Sequence, residues 1–515
     1  MKPVRDILKH SGIYAVGQIL SRVASLLLLP LYTRVLTPAD YGCVAILDLT
    51  AGILAVFLGA GMASAVTRFH FDTESESERR RVWWTGLIYL ACASAVLVVP
   101  MWFARGWIAD VTLGSDIADG AKFYTLALAT LVLGAFSEVF DAYFRVRKWS
   151  GIYISLSLSR LLVNVALNIY FLVELQWGIT GLLLGNLLAS AFNTLLMFAI
   201  FISFNRKPQA CAESETIDES GAHACGVRLN DRQLARKLLA FGSPLIATAV
   251  LSMVIHEADR YFLRAYVDLD QVGIYSLAYK IGQAVNMLCL VPFAAIWGVV
   301  VYEIAKQPDA KKQYAAVFEQ FVAGLSLVML GASLFVKPVL GVLTTSDYSA
   351  AADLVPVICL AYLCFSLHEH FRVPVLLSRQ TLSLVPVYGF AALLNVACNL
   401  VLIPRWHAEG AAWASVITYA GFSFFGLLRY RKIDAYPYSF RRSGEIVAGM
   451  IFTWTACRLT WDVSLLAGWT ISVAAWLAWA ALLFGRPALE FLVRHRRVAP
   501  MVSVLPNVPT QNLTQ

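Results

Sequence analysis

The sequence predicts an all-α polytopic membrane protein of about 14 transmembrane helices, arranged as two parallel six-helix repeats plus two C-terminal helices. Three observations predict it. The 515 residues are 59% apolar and only 14% Asp, Glu, Lys or Arg, against about 25% charged residues in a soluble domain, and the mean hydropathy is +0.67. Apolar segments of roughly 20 residues, one bilayer crossing each, recur along the whole chain. A pattern of residues also repeats at one fixed offset. These features exclude a soluble enzyme, a disordered chain and a fibrous protein, and the ten-residue alternation of a membrane barrel is missing.

In order, the apolar segments are 11–31, 42–63, 83–104, 121–142, 151–173, 179–204, 239–263, 273–301, 316–336, 352–377, 384–403, 410–428, 444–460 and 466–484. The first follows Lys2, Arg5 and Lys9; its length and the lack of an A-x-A site make it an uncleaved helix, not a signal peptide. Cytoplasmic loops collect Lys and Arg. With the N-terminus inside, the inner segments hold 29 basic residues and the outer ones seven: Arg34, Arg105, Lys122, Arg264, Lys337, Arg405 and Arg458. Both termini are therefore expected in the cytoplasm, as is the longest loop, 205–238. That loop ends in Asn230 to Leu238, which reads as a capped amphipathic helix on the membrane surface. The net charge of +8 belongs to topology; no basic stripe interleaved with aromatics points to nucleic acid.

Asn164-Val165-Ala166-Leu167-Asn168 recurs as Asn395-Val396-Ala397-Cys398-Asn399, an offset of 231. The same offset carries Glu138 and Phe140 onto Glu369 and Phe371, and Gly42 onto Gly273. A duplication follows, with residues 1–204 as one six-helix bundle, 205–238 as a linker, 239–428 as the second bundle, and 429–515 as two extra helices and a tail. An even number of helices per half makes the repeats parallel, a design for alternating access to a midplane cavity.

Five basic residues fall inside spans: Arg22, Arg160, Arg260, Lys280 and Arg372. Each costs about 2.5–3.5 kcal/mol near a helix centre, so it faces a partner or a water-filled cavity. Arg22, Arg160 and Lys280 have no acidic residue within one turn and are the candidate cavity residues for an anionic ligand. Their duplicated positions are Met253, Ala391 and Leu49, so the cavity is expected to be asymmetric. Arg372 lies three residues after Glu369, a helical ion-pair spacing. Glu138, Glu369 and Asp48 are the candidates for ion coupling through a carboxylate that takes up a proton. Asp259 and Arg260, with His256 and Glu257, read as a structural cluster, together with Arg372.

Seven cysteines lie in apolar segments, and Cys211 and Cys225 share the central loop with His223 in no standard zinc spacing. His368 and His370 point to different helix faces, so no metal site is expected. No G-x-x-x-x-G-K-[ST] motif occurs, and no cofactor is expected.

Ser21-Arg22, then Leu27 to Gly42 with its run Pro30-Leu31-Tyr32-Thr33-Arg34-Val35-Leu36-Thr37-Pro38-Ala39-Asp40-Tyr41-Gly42, resembles the opening of the polysaccharide transporter family, the Wzx-type oligosaccharide flippases. Asp259 to Leu263 with Val272 to Tyr275 resembles that family's seventh and eighth helices. Asn395 to Asn399, Pro404 and Gly410-Ala411-Ala412 resemble its eleventh and twelfth. The resemblance implies the fold of the multidrug/oligosaccharidyl-lipid/polysaccharide superfamily. It implies movement of an undecaprenyl-diphosphate-linked glycan across a bacterial inner membrane, driven by a cation gradient, with a lipid-linked glycan, membrane lipids and polysaccharide polymerase machinery as partners. Only Arg22 carries over from the family as a site residue. Two rivals remain. A multidrug or cation antiporter of the related class needs an acidic pocket, against which the basic residues in the spans argue. A membrane glycan polymerase needs a large outer loop, and the outer loops here are short.

Overall fold

The computed structural model describes residues 28–59, 62–73, 75–205, 246, 249–378, 380–459 and 465–498. Among them all regular structure is helical. Ten of these helices are long and apolar enough to cross a membrane, so the protein is a multi-pass membrane protein. The predicted spans 384–403 and 410–428 lie in one of the ten, Leu382–Tyr430. The predicted span 444–460 forms the helix Phe440–Arg458, which is not among the ten. The first predicted span lies almost wholly outside the described residues, as does the beginning of the seventh, along with the central loop and its expected surface helix.

Two compact units account for the described chain, one of residues 1–303 and 336–435, the other of 304–335 and 436–515. The second unit is held by Arg442 on Glu319 at 3.0 Å, by Trp476 Nε1 donating to the Leu327 carbonyl at 2.9 Å, and by Phe318 against Tyr438. The remaining description concerns the first unit.

Its first half contains α1 (Leu29–Val35), α2 (Pro38–Gly59), α3 (Met62–Asp72), α4 (Glu76–Phe103), α5 (Arg105–Thr112), α6 (Gly120–Val146), α7 (Ser150–Ile169) and α8 (Gly178–Asn205). Its second half contains α9 (Asp259–Tyr266), α10 (Leu269–Ile304), α11 (Ala310–Leu343, of which the end belongs to this unit), α12 (Ala351–Phe371), α13 (Val373–Ser378) and α14 (Val385–Tyr430). α2 is 22 residues long, about 33 Å at 1.5 Å per residue, which matches the hydrocarbon thickness. Local chemistry sets its start. The Thr37 hydroxyl accepts from the Asp40 N–H at 3.2 Å, and the Asp40 carboxylate accepts from the Thr37 N–H at 3.0 Å. This is a capping box with proline at the first helical position.

The offset of 231 reappears as geometry. Asp268, the counterpart of Thr37, caps α10 by accepting from the Gln271 N–H at 2.8 Å. Gly42 on α2 and Gly273 on α10 cross so closely that a Cβ at Gly42 would strike the Leu269 carbonyl, and one at Gly273 would strike the Pro38 carbonyl. Those two carbonyls are themselves 231 residues apart, so the crossing is reciprocal, as about a two-fold axis. In lipid such close backbone approach through small residues drives helix association, because burying apolar surface gains little there. The turn that ends the fifth predicted span places Gln176 at φ 53°, and the matching turn in α14 places His407 at φ 50°. His407 breaks α14 into two helical arms. Finally, Asn168 donates to Asn164 at 3.0 Å, and Asn399 donates to Asn395 at 2.9 Å.

Candidate functional site: a polar cavity between the halves

A cavity of about 1010 Å³ lies between the two halves of the first unit. It is sealed at one end by contacts between the halves. Thr33 donates to the Leu343 carbonyl at 3.3 Å, the Tyr348 hydroxyl to the Leu36 carbonyl at 3.0 Å, and Arg264 to the Leu113 carbonyl. A chain of hydroxyls runs from Thr112 through Tyr124 and Thr50 to Tyr261, at 2.6, 3.2 and 2.7 Å. The glycine crossing belongs to the same end, which carries the loops with few basic residues.

Among the described residues six charged side chains of opposite sign line the cavity: Arg160, Arg260 and Lys280, and Asp48, Asp141 and Glu257. The sequence singled out Arg160, Lys280 and Asp48, and all three line the cavity. Arg160 on α7 is exposed to it and donates to Ser190 Oγ at 3.3 Å. Lys280 on α10 reaches across to the first half, with Nζ 3.5 Å from the Tyr41 hydroxyl and 5.9 Å from its ring centre. Neither cation is in an ion pair among the described residues. Asp48 on α2 is exposed and equally without an ion pair there.

Arg260 also faces the cavity but is neutralised, by hydrogen bonding to Glu257, by Asp259 at 3.5 Å, and by the Tyr279 ring at 4.5 Å. Asp259 is 2% exposed and accepts from the Tyr275 hydroxyl. Glu369 and Arg372 pair with each other at 2.6 Å and do not line the cavity. Glu138 is exposed beside Gly59, also off the lining. Arg147, nine residues further along, binds Glu76 at 2.6 Å. Arg22 lies outside the described residues.

The sequence reading missed a run of neutral polar groups. Asn186, Ser190 and Asn193 form a stripe on α8, at spacings of four and three, and face the cavity with Ser157 and Asn164 of α7. The Asn164 amide donates to Asn186 Oδ1 at 2.8 Å. That helical period was the available signal. Asp141 was missed because it sits next to the basic inner loop and reads there as a surface charge. Among the described residues no cluster of three or more His, Cys, Asp or Glu is arranged to hold a metal ion.

A helical, multi-pass scaffold of two related halves around a polar cavity is the fold of a transporter class. Lipid II flippase MurJ in an inward closed conformation superposes with TM-score 0.69, at 12% identity over 92% of this chain and 99% of that one. An inward-facing multidrug resistance transporter of the MATE family in the MOP superfamily gives 0.62, at 14% identity over 80% of this chain and 94% of that one. A MOP superfamily transporter from Pyrococcus furiosus, described as having a binding pocket of reversed polarity, gives 0.55 at 15% identity, over 83% of this chain and 96% of that one. These likenesses establish the fold. No curated protein sequence matches the chain. Residues 7–297 match the family of polysaccharide biosynthesis proteins, and the chain belongs to that family.

Proposed function

We propose that the protein flips an undecaprenyl-diphosphate-linked oligosaccharide from the cytoplasmic to the outer leaflet of a bacterial inner membrane. The product serves a surface polysaccharide such as O-antigen, capsule or exopolysaccharide, and polymerase machinery takes it up. The observation that carries this reading is the cavity, in which Arg160 and Lys280 stand on opposite halves with neither in an ion pair among the described residues. A charge in a low-dielectric site is costly until a counter-charge arrives. A diphosphate supplies one to both, and the guanidinium adds paired hydrogen bonds that an ammonium lacks. The family is one of polysaccharide biosynthesis, and a protein of the same fold is a lipid II flippase. Arg22 is assigned the same role by resemblance.

With both termini in the cytoplasm, the sealed end faces outward and loading occurs from inside. The head group enters the cavity while the polyprenyl tail stays in lipid. Alternation then breaks the contacts at the sealed end. Asp48 is the best placed of the three candidates for ion coupling, since it lines the cavity, while Glu369 is neutralised by Arg372 and Glu138 stands off the lining. Deleting the gene should make a lipid-linked glycan accumulate in the inner leaflet and deplete a surface polysaccharide. An unchanged lipid pool with intact surface glycan would contradict the proposal.

One observation favours a second reading, antiport of an organic cation. Three carboxylates line the cavity beside three cations, so the basic excess expected from the sequence is balanced among the described residues. That reading expects the deletion strain to become sensitive to cationic drugs with its glycan lipids unchanged.

A further inference from the structure

Two acceptor oxygens in the first half's wall have no donor. Asn193 is 2% exposed and lines the cavity, yet its Oδ1 has no hydrogen-bond partner among the described residues, and neither has Oδ1 of Asp141. A buried acceptor without a donor costs about 1–3 kcal/mol, so each marks a place where something else donates. Hydrogen bonds between helices hold the two near each other. Ser137, one turn before Asp141 on α6, meets Thr194, next to Asn193 on α8, at 2.8 Å. Arg160 on α7 reaches Ser190, one turn earlier on α8, at 3.3 Å.

The wall therefore alternates a fixed donor, Arg160, with the orphan acceptors Asp141 and Asn193 and the amide pair Asn164–Asn186. Every hydroxyl of a sugar ring both donates and accepts, and a wall of this kind satisfies neighbouring hydroxyls together. A metal or ammonium ion fits it poorly, because the Arg160 guanidinium stands in the same wall and repels it. In the second half's wall Ser276 Oγ also lacks a hydrogen-bond partner among the described residues, but the stripe is not repeated there. At the positions equivalent to Asn193, Arg160, Ser190 and Asn186 that half has Phe424, Ala391, Gly421 and Ile417.

We infer that this wall of α6, α7 and α8 is a sugar subsite, in which Asp141 and Asn193 accept hydrogen bonds from hydroxyls of the glycan while Arg160, at its edge, and Lys280, across the seam, hold the diphosphate. The inference rests on the flippase reading and adds where the glycan lies. It makes Asp141 and Asn193 determinants of glycan recognition and not of lipid diphosphate binding.

The test uses two probes: the lipid-linked glycan that accumulates in the deletion strain, and undecaprenyl diphosphate without sugar. Binding of each to the purified full-length protein in nanodiscs is measured for the wild type, Asn193→Ala, Asp141→Asn and Lys280→Gln. Asn193→Ala should weaken binding of the glycan lipid about tenfold, as for loss of a hydrogen bond to a buried acceptor, and Asp141→Asn by less, because its amide keeps one acceptor oxygen; each should change undecaprenyl diphosphate binding less than about twofold. Lys280→Gln should weaken both probes. The melting temperature of the empty protein should fall little in Asn193→Ala, which removes an unsatisfied acceptor and gives up only the long Nδ2 contact to Met197 Sδ at 3.5 Å; a structural asparagine predicts a large fall. Equal losses for both probes, unchanged glycan binding, or a change confined to sodium dependence would overturn the subsite and leave the flippase reading standing. If the deletion strain accumulates no lipid-linked glycan, the flippase reading falls and the subsite falls with it.

Discussion

The two halves share a scaffold and differ in what they place at its centre. Asn164–Asn168 and Asn395–Asn399 make the same side-chain bond, at 3.0 and 2.9 Å. In the first half Asn164 lines the cavity and continues to Asn186. In the second, Asn395 and Asn399 are 1% and 0% exposed, and Asn395 donates to the Ile255 carbonyl. The same motif is thus part of a wall in one half and part of a core in the other. The charges diverge likewise. Arg260, Glu257 and Asp259 form a closed cluster in the second half, where the equivalent positions of the first, Leu29, Leu26 and Leu28, are apolar. The lesson is that duplication preserves backbone devices such as caps, crossings and turns, while the lining is free to specialise.

The largest expected effect falls on what the halves share. Gly42→Val and Gly273→Val each push a side chain into a carbonyl of the other half. Because the obstacle is backbone, each should cost about 3 kcal/mol in thermal unfolding of the purified protein, and the two costs should agree. A tolerated substitution at one site alone would break the reciprocity.

Next come the cavity charges, which the halves do not share. Lys280→Gln should reduce glycan export at least about tenfold, and Arg160→Gln should do so by less, because Ser190 and the amide groups remain. Arg372→Gln, outside the lining, should leave export near normal. The radioactive sugar content of the outer leaflet measures all three.

A finer contrast separates wall from core. Asn395→Ala strands Asn399 in the core and should lower stability by about 1–3 kcal/mol with little change in export per folded molecule. Asn164→Ala should do the reverse. The smallest effect concerns coupling. Asp48→Asn should flatten the dependence of export on pH or sodium, whereas Glu138→Gln and Glu369→Gln should shift it hardly at all. An unchanged profile in Asp48→Asn would remove the best-placed coupling candidate.

Much of this was legible in the sequence. Thr37-Pro38-Ala39-Asp40 carries its capping box in four consecutive residues, and Gly42 and Gly273 stand at the repeat offset. Arg160, Lys280 and Asp48 were found because charges inside apolar runs are conspicuous. Pairing between helices was not legible. The excess of basic residues in the spans gives no hint that Asp141 and Glu257 share the lining, since both lie near loops in sequence. Glu257, grouped in sequence with a structural cluster, lines the cavity while it neutralises Arg260. Asn186, Ser190 and Asn193 attract no notice singly, because neutral amides and hydroxyls are common in membrane helices; only their common face makes them a wall.

The central claim is that this cavity carries a glycan lipid across the bilayer. It is tested most directly by reconstituting the protein into liposomes with the lipid-linked glycan from the deletion strain and following its transfer between leaflets with a membrane-impermeant glycosidase. The account predicts that, under an imposed cation gradient, the wild-type protein exposes the glycan to the enzyme, while liposomes carrying Lys280→Gln resemble protein-free ones. Equal rates in the two proteins, or no transfer by the wild type above protein-free liposomes, would contradict it.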